Sequence, residues 1–322
     1  MRKEQRITVV IPCYNVERHI EGVAKAVPDF VDHIILVDDA SKDGTRQRLE
    51  ALKAEPSIEA NANASRLIVL HHEQNQGVGG AMLTGYRKAM ELGDDIVVKI
   101  DGDGQMDCAM IAPLIDSMAA ETDMAKGNRL FNLAALKSMP RVRRFGNGVL
   151  GFMVKAASGY WEISDPVNGF FAIRTSTLRK MDLGRVAKDY FFESSMIIEM
   201  YYAGAHIREL SMPAIYGDEQ SNLSIRRTLV GFPPRLAKAW LRRIGLCYFT
   251  YDFNMGSLYL AAGLPCCLFG LIFGICRWVH FASMAQPAPT GTIMLAVITF
   301  VLGFQMLLAA IQYDISHRNP FE

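Results

Sequence analysis

An excess of charge of either sign is the first thing this chain lacks. Its 34 Lys and Arg stand against 33 Asp and Glu, a formal charge of +1 over 322 residues. A nucleic-acid binder usually carries a basic excess or stripe, so no nucleic-acid partner is expected. Cysteine is scarce as well. The six Cys, at 13, 108, 247, 266, 267 and 276, include no CxxC pair. That excludes a disulfide scaffold and fits reduced thiols in a membrane-attached protein facing the cytosol. Solenoid repeats are absent and low-complexity stretches few. With half of the residues apolar, an intrinsically disordered chain is excluded too. No secretory leader is expected, because residues 1–6 are charged and the first apolar run is short.

What is there is unevenly spread. No charged side chain occurs from Phe253 to Cys276, nor from Phe281 to Tyr313. A membrane span needs about 20 such residues, and two adjacent runs of this kind are rare in a soluble core. We expect spans near 256–277 and 292–313, joined by a turn at Gln286-Pro287-Ala288-Pro289. Arg235, Lys238, Arg242 and Arg243 precede the first span, the turn carries no Lys or Arg, and Arg318 follows the second. By the positive-inside rule the N-terminal part and the C-terminus face the cytoplasm, in a multi-pass protein of the cell membrane or an endoplasmic-reticulum-type membrane. Residues 223–252 interleave Arg226, Arg227, Arg235, Lys238, Arg242 and Arg243 with Leu, Phe and Trp. They read as two amphipathic segments on the membrane surface, broken at Pro233-Pro234. The expected partition is 1–222 catalytic, 223–254 juxtamembrane, 255–314 two spans and 315–322 a cytosolic tail. Association of copies through the spans is an expectation of the same kind.

The soluble part alternates strand and helix. Residues 7–11, ended by Pro12, are a β-branched apolar run; 34–37, 67–70 and 96–100 are three more. Helices are expected over 17–27, 44–54 and 79–92. Continuous apolar strands separated by helices indicate an α/β fold, a mostly parallel sheet covered on both faces. In such sheets ligands bind beyond the carboxyl ends of the strands, where each of these four runs enters a polar loop. A further strand at 171–173 and a helix at 190–203 are expected; the rest of 106–222 has no clear period.

The strongest chemical signal is Asp101-Gly102-Asp103-Gly104-Gln105 at the end of the fourth strand. Alternate residues of an extended chain point to one side, so Asp101 and Asp103 can converge on one cation. Gly102 and Gly104 leave room for a phosphate. Two carboxylates with diphosphate oxygens suit Mg²⁺ or Mn²⁺, which prefer hard oxygen ligands. Alone, such a pair is more often a solvated turn, but it has company. It is preceded, in order, by Ile11-Pro12-Cys13-Tyr14-Asn15-Val16-Glu17, by Val37-Asp38-Asp39-Ala40-Ser41-Lys42-Asp43-Gly44-Thr45 and by Asn75-Gln76-Gly77-Val78-Gly79-Gly80-Ala81.

Together these four motifs resemble family 2 glycosyltransferases of the GT-A fold, closely over residues 6–130 and more weakly to about 222. The resemblance implies inverting sugar transfer from a nucleotide-sugar, the nucleotide lying on the first three loops (Pro12, Tyr14, Glu17, Asp38, Asp39, Gly77). It implies that Asp39 and the backbone near Pro12 contact the base, and Asp38 or Glu17 the nucleoside. It also implies that Asp101, Asp103 and Gln105 hold Mg²⁺ or Mn²⁺ and the donor diphosphate. With two C-terminal spans, the chain is further similar to polyprenyl-phosphate glycosyltransferases of the dolichol-phosphate mannose synthase or undecaprenyl-phosphate glucosyltransferase type. That implies a UDP- or GDP-sugar donor and a polyprenyl phosphate acceptor. Gly127-Asn128-Arg129 then matches an element whose Arg binds phosphate. Arg141, Arg143 and Arg144 lie about where a second such Arg occurs, with Arg143 and Arg144 taken as candidates. Glu193 falls where that family often has a carboxylate near the acceptor. The chain departs from the family in reading Asp-Gly-Asp-Gly-Gln for Asp-Ala-Asp-Leu-Gln, and Asp165-Pro166-Val167-Asn168-Gly169-Phe170 for a Thr-Ser-Gly-Phe form. A hydroxyl acceptor on a glycan or glycolipid is the alternative; it would need a general base, which an ionised phosphate does not. The GxGxxG match at 146–151 follows no strand, so no dinucleotide site is expected there. His71-His72 lacks metal-ligand spacing, and Asp314 reads as an interface residue.

Overall fold

The computed structural model describes residues 5–53, 66–130, 141–212, 225–317 and 319–321. The four apolar runs form strands β1 (Ile7–Cys13), β2 (His33–Asp38), β3 (Leu67–His71) and β4 (Ile96–Lys99). With β5 (Met124–Asn128), β6 (Phe171–Arg174) and β7 (Ile207–Ser211) they build a seven-stranded sheet of order β3-β2-β1-β4-β6-β5-β7. β6 is antiparallel to β4 and β5, and the other pairings are parallel. The carboxyl ends of β1 to β5 and the amino end of β6 therefore meet at one edge.

Both faces of the sheet are covered, as continuous apolar strands require. On one face Val9, Ile11, Leu36 and Val98 pack with helices α1 (Ile20–Ala26), α2 (Thr45–Lys53) and α4 (Ile111–Asp116). On the other, Val10, Ile35, Val97, Met124 and Phe171 pack with α3 (Val78–Leu92), α6 (Thr175–Lys180) and α7 (Phe192–Tyr202). Helix α5 (Arg141–Ser158) places Val154 and Ala157 against Phe191, Ile198 and Leu236. The GxGxxG match lies inside this helix.

Three boundaries differ from the sequence expectation for physical reasons. β1 runs through Pro12 to Cys13, in register with Val37 and Asp38. The Val10 carbonyl accepts from Ile100 on the β4 side and the Cys13 carbonyl from Asp39 on the β2 side. By alternation Pro12 turns to the β4 side beyond that ladder's last pair, so its missing N–H costs no ladder bond. α1 starts at Ile20 rather than Glu17, because the backbone of Glu17 donates to Asp43 and its carboxylate accepts from Gly44. Finally, α8 (Ile225–Ile244) runs through Pro233-Pro234 where a break was expected. Phe232 and Leu236 on either side of the prolines pack into the α5/α7 cluster, and that burial outweighs the lost helix hydrogen bonds.

The chain separates into two compact units, Met1–Ala239 with Phe321–Glu322, and Trp240–Pro320. In the second, a π-helical segment (Gly245–Tyr251) precedes α9 (Met255–Ser283), which Asn254 and Ser257 start with a capping box. After a turn, α10 (Thr290–Ser316) packs antiparallel along it, Gly270 and Gly303 meeting the backbone of the facing helix. Such small residues let apolar helices approach closely. Both helices are long and apolar enough to cross a membrane. Asp314 is not a passive interface residue. Its carboxylate accepts two hydrogen bonds of 2.7 Å from Arg243 and one of 2.6 Å from the Tyr248 hydroxyl, and Arg243 is buried. Removing one partner of a buried ion pair typically costs about 3–5 kcal/mol. Asp314→Ala should therefore lower the melting temperature of the detergent-solubilised protein markedly, whereas Asp252→Ala on the exposed segment before α9 should not.

Candidate active site

The loops after β1, β2 and β3 are tied to one another before any ligand is considered. Asn15 and Ala40 adopt positive φ, 56° and 57°, and these turns face each other. The Asn15 N–H donates to Ser41 Oγ, the Lys42 N–H to Asn15 Oδ1, the Val16 N–H to Thr45 Oγ1, and the Gly44 N–H to Glu17 Oε2 at 3.0 Å. Asp38 is fully buried and accepts from the Ser41 N–H, with His71 Nδ1 3.1 Å away. Burial pushes its pKa up, but the Ser41 and His71 contacts outweigh this and hold it below the ordinary carboxylate value. Asp39 is buried as well, and both its oxygens are engaged: by the N–H groups of Gln76 and Gly77, each at 2.7 Å, and by His72. Asp39 thus holds the third loop in place, a role the sequence did not announce. His72, passed over as a metal ligand, is its orienting partner, with Thr84 on the other ring nitrogen. The glycines at 77, 79 and 80 are required by close packing against the 187–188 backbone and Gln76. The Gly79 and Gly80 N–H groups donate to the Lys188 carbonyl, and a Cβ at Gly77 or Gly79 would overlap backbone at 187–188.

Strand β4 supplies the centre of the site. Along the α3/α7 face of the sheet the apolar sequence changes at the carboxyl edge, where Val97 is followed by Lys99 and Met124 by Lys126. Phe171 lies between the two lysines, in register with both. Both ammonium groups are buried. Lys99 Nζ donates to Asp101 Oδ1 at 2.5 Å and lies 3.3 Å from Glu193 Oε1, in the first turn of α7. Burial depresses the Lys99 pKa, but Asp101 and Glu193 outweigh it and hold the value above the ordinary one, so the ammonium stays charged. The Gly169 position is closed to any side chain: an added Cβ would lie 2.6 Å from Lys99 Nζ and 3.2 Å from Asp101 Oδ2.

The paired aspartates are arranged by a turn, not by strand alternation. β4 ends at Lys99, the chain turns at Gly102–Gly104 with Gly104 at φ 76°, and Asp103 Oδ1 accepts from the Gln105 N–H. The i, i+2 pair on one side of the strand is instead Lys99 and Asp101. Gly102 abuts the Pro12 carbonyl, where a Cβ would stand at 3.3 Å, so the metal loop and the first loop meet there. Among the described residues no group of three or more His, Cys, Asp or Glu could hold a metal. The donor set fits Mg²⁺ or Mn²⁺ only as two carboxylates completed by ligand phosphate and water oxygens, a usual arrangement for Mg²⁺.

Arg129, at the end of β5, is already gripped. Its Nε and Nη2 donate to Asp165 at 2.9 and 3.2 Å, and the Asp165 backbone N–H donates to Glu209. The segment that departs from the family pattern therefore positions the expected phosphate-binding Arg. Three residues after Asp165, Asn168 binds β5 through the Gly127 carbonyl, and its own carbonyl accepts from Lys126. Asp101, Glu193, Arg129 and Asp165 thus fall in one cluster with Lys99, Lys126 and Asn168, none of which sequence reasoning singled out. Lys99 at the carboxyl end of the otherwise apolar β4 was the one signal available. Tyr14 is exposed. Arg144 is exposed in the first turn of α5, and among the described residues no ion pair or hydrogen bond joins it to the cluster. The side chains of Arg141 and Arg143 lie outside the described residues. Open clefts of about 430 and 440 Å³ occur on this unit, the first bordering the metal loop at Gly104 and Met106, and neither is lined by the paired aspartates.

Comparison with known proteins identifies this arrangement. The family model described as Glycosyl transferase family 2 matches residues 8–182. A UDP-N-acetylglucosamine–dolichyl-phosphate N-acetylglucosaminyltransferase of Methanococcus voltae is 34% identical over 71% of this chain and 93% of its own. The polyprenol monophosphomannose synthase of Mycolicibacterium smegmatis is 30% identical, covering 60% of this chain and 71% of its own. Among solved structures, glucosyl-3-phosphoglycerate synthase of Mycobacterium tuberculosis with Mn²⁺, UDP-glucose and phosphoglyceric acid superimposes with a TM-score of 0.54. It is 19% identical, over 76% of this chain and 81% of its own.

Two predictions follow from the buried lysines. Lys99→Met leaves Asp101 and Glu193 without their cation and should cost about 3–5 kcal/mol in urea unfolding. Adding Glu193→Gln should restore part of that, a positive coupling in a double-mutant cycle. Burial, first among the causes, brings the Lys126 pKa down from the ordinary 10.5 to about 8. The unfolded chain therefore binds this proton more tightly than the folded one, a penalty complete below about pH 8 and relieved as pH rises through the ordinary Lys value. Stability should gain a rising component between about pH 8 and pH 10.5, and Lys126→Met should flatten it.

Proposed function

The chain belongs to glycosyl transferase family 2, and from that premise we propose that it transfers a hexose unit, with inversion, from a UDP- or GDP-sugar to a polyprenyl phosphate. Its sheet is of the GT-A type. The single observation that carries the choice of acceptor is that the carboxylates beside the paired aspartates are engaged by cations, Glu193 by Lys99 and Asp165 by Arg129. A hydroxyl acceptor needs a general base at the reacting oxygen, whereas a phosphate monoester arrives already ionised. The named relatives act on dolichyl and polyprenol phosphates, and the two apolar C-terminal helices support an acceptor drawn from a bilayer.

In this reading the first three loops receive the nucleotide. Asp39 and the backbone near Pro12 meet the base and Asp38 or Glu17 the nucleoside, with Tyr14 and Gly77 on the same loops. Asp101, Asp103 and Gln105 hold a divalent cation against the donor diphosphate, and Gly102 admits it. When bound, Mg²⁺ or Mn²⁺ neutralises charge growing on the leaving diphosphate; the fold neighbour crystallised with Mn²⁺ supports this assignment. Lys99 holds Asp101 in place from beneath. The bond from the sugar C1 to the donor diphosphate oxygen breaks as one forms to an acceptor phosphate oxygen on the opposite face, and the nucleoside diphosphate departs. Arg129, set by Asp165, grips the acceptor phosphate, with Arg143 or Arg144 as the second cation; Arg suits this because its planar fork engages two oxygens. We assign residues 1–222 to catalysis, 223–254 to the membrane surface, 255–314 to the spans and 315–322 to a tail, with catalytic unit and tail in the cytoplasm.

Substitution separates the two acceptor readings. Arg129→Ala should weaken transfer by roughly thirtyfold or more, the lower end of the range for truncating the partner of a buried charge, with little change in donor binding measured by calorimetry. Asp101→Asn or Asp103→Asn should remove most transfer, and EDTA should do so reversibly. Glu193→Gln should be mild. A dead Glu193→Gln with an unaffected Arg129→Ala would replace the phosphate acceptor by a hydroxyl.

A further inference from the structure

Tyr86 carries a hydroxyl that no other group in the fold engages. The residue is fully buried on α3, in the cluster that α3 and α7 form on the sheet with Val10, Val97 and Phe171. Its hydroxyl has no hydrogen-bond partner among the described residues. Tyr160 and Tyr248, by contrast, donate theirs to the Ala205 carbonyl and to Asp314. A buried hydroxyl left unpaired costs free energy that phenylalanine, of the same shape, avoids. Packing alone therefore does not account for a tyrosine here.

Direction and charge say where its partner lies. Helix side chains lean toward their own N-terminus, and α3 begins at the carboxyl edge of the sheet, so Tyr86 leans toward that edge. There Phe192, its ring centroid 6.3 Å from that of Tyr86, opens α7, and Glu193 follows it. Glu193 Oε1 lies 3.3 Å from Lys99 Nζ, and Oε2 has no partner among the described residues. Burial first, and then the Glu193 charge, hold the Tyr86 pKa well above its ordinary value, so the phenol keeps its proton. Lys99 and Lys126, the other charged groups buried at this edge, bring protons of their own. Glu193 is the acceptor left: a donor without an acceptor and a carboxylate with an oxygen to spare meet at the α3/α7 interface.

We propose that Tyr86 is a positioning residue, whose hydroxyl donates to Glu193 when Asp101 turns to a divalent cation and so keeps the Glu193–Lys99 pair in place beneath the donor diphosphate. The Lys99 ammonium is shared by two carboxylates, Asp101 at 2.5 Å and Glu193 at 3.3 Å. An Asp101 that also faces a dication holds the ammonium less firmly, because like charges then stand on either side of it. Lys99 then depends on Glu193, and a Glu193 tied by Tyr86 gives it a fixed place. Nothing in this uses Glu193 as a base. A Gln there keeps an acceptor oxygen, in agreement with the mild effect expected of Glu193→Gln. The inference rests on the reading of Asp101 as a metal ligand and adds to it a residue outside every motif.

The test compares full-length wild type with Tyr86→Phe in detergent. Without ligand, Tyr86→Phe should melt no lower than wild type, since its hydroxyl has no bond to lose. Mn²⁺ affinity in the presence of UDP or GDP, measured by calorimetry, should fall about tenfold, the loss expected for one hydrogen bond to a charged group, and sugar transfer should fall with it. In a Glu193→Ala background, Tyr86→Phe should change Mn²⁺ affinity no further. A ligand-free Tyr86→Phe that melts well below wild type would make the hydroxyl a fixed structural bond, and unaltered Mn²⁺ affinity would make it idle; either result overturns the proposal. So does a tenfold loss that persists without Glu193. Asp101→Asn scores the metal reading separately. If it binds Mn²⁺ as wild type does, that reading and this inference fall together; if it loses Mn²⁺ while Tyr86→Phe binds normally, only the inference falls.

Discussion

The arrangement of the site depends on one buried ammonium group. Lys99 is 1% exposed and its neighbourhood is built around keeping it charged. An isolated ammonium out of water is costly unless paired and hydrogen-bonded, and here Asp101 and Glu193 supply the pairing. Each of these brings an element with it. Asp101 begins the loop that carries Asp103 and Gln105. Glu193 fixes the first turn of α7, whose Phe192 and Met196 cover the sheet. Gly169 is the residue that lets the 165–170 segment pass so close, and that segment in turn orients Arg129 through Asp165. Loss of the ammonium would thus be felt at the metal loop, at α7 and at the expected acceptor grip together.

Much of the fold was legible because it follows from burial. Strands covered on both faces must be apolar without interruption, so the runs at 7–11, 34–37, 67–70 and 96–100 stand out and their loops mark the ligand edge. What escaped is what tertiary contact decides. A proline ends an expected strand only if its nitrogen faces a partner, and at Pro12 the β4 ladder has already stopped. Two prolines end an expected helix only if nothing anchors both sides, and Phe232 and Leu236 do. Strands β5 and β7 carry Lys, Asn, Arg and Glu, which hide them from any reading by periodicity, although the neighbours that satisfy those groups are plain in the structure.

The candidate site divides in the same way. Motif residues could be named from their order and spacing, but the jobs of several depend on neighbours remote in sequence. Asp39 was expected to meet a base; its oxygens hold the backbone of Gln76 and Gly77. The glycines at 77 and 79 were named only as part of a motif; they make room for the backbone at 187–188. Asp314, 71 residues from Arg243, was read as incidental and is the anchor of a buried ion pair. Lys99 was read simply as a strand residue and Lys126 fell in the stretch without a clear period, and each has a partner 42 or more positions away.

The central claim is that the nucleophile at this site is a lipid phosphate. Its most direct test gives purified protein a nucleotide-sugar with Mg²⁺ or Mn²⁺ and, in parallel vesicles, a polyprenyl phosphate or the matching polyprenol, and weighs the lipid products by mass spectrometry across UDP-glucose, UDP-N-acetylglucosamine and GDP-mannose. The account predicts a hexosyl polyprenyl phosphate from one of these donors and no glycosylated polyprenol. A sugar attached to the polyprenol or to a glycan hydroxyl, with the phosphate left unused, would contradict it.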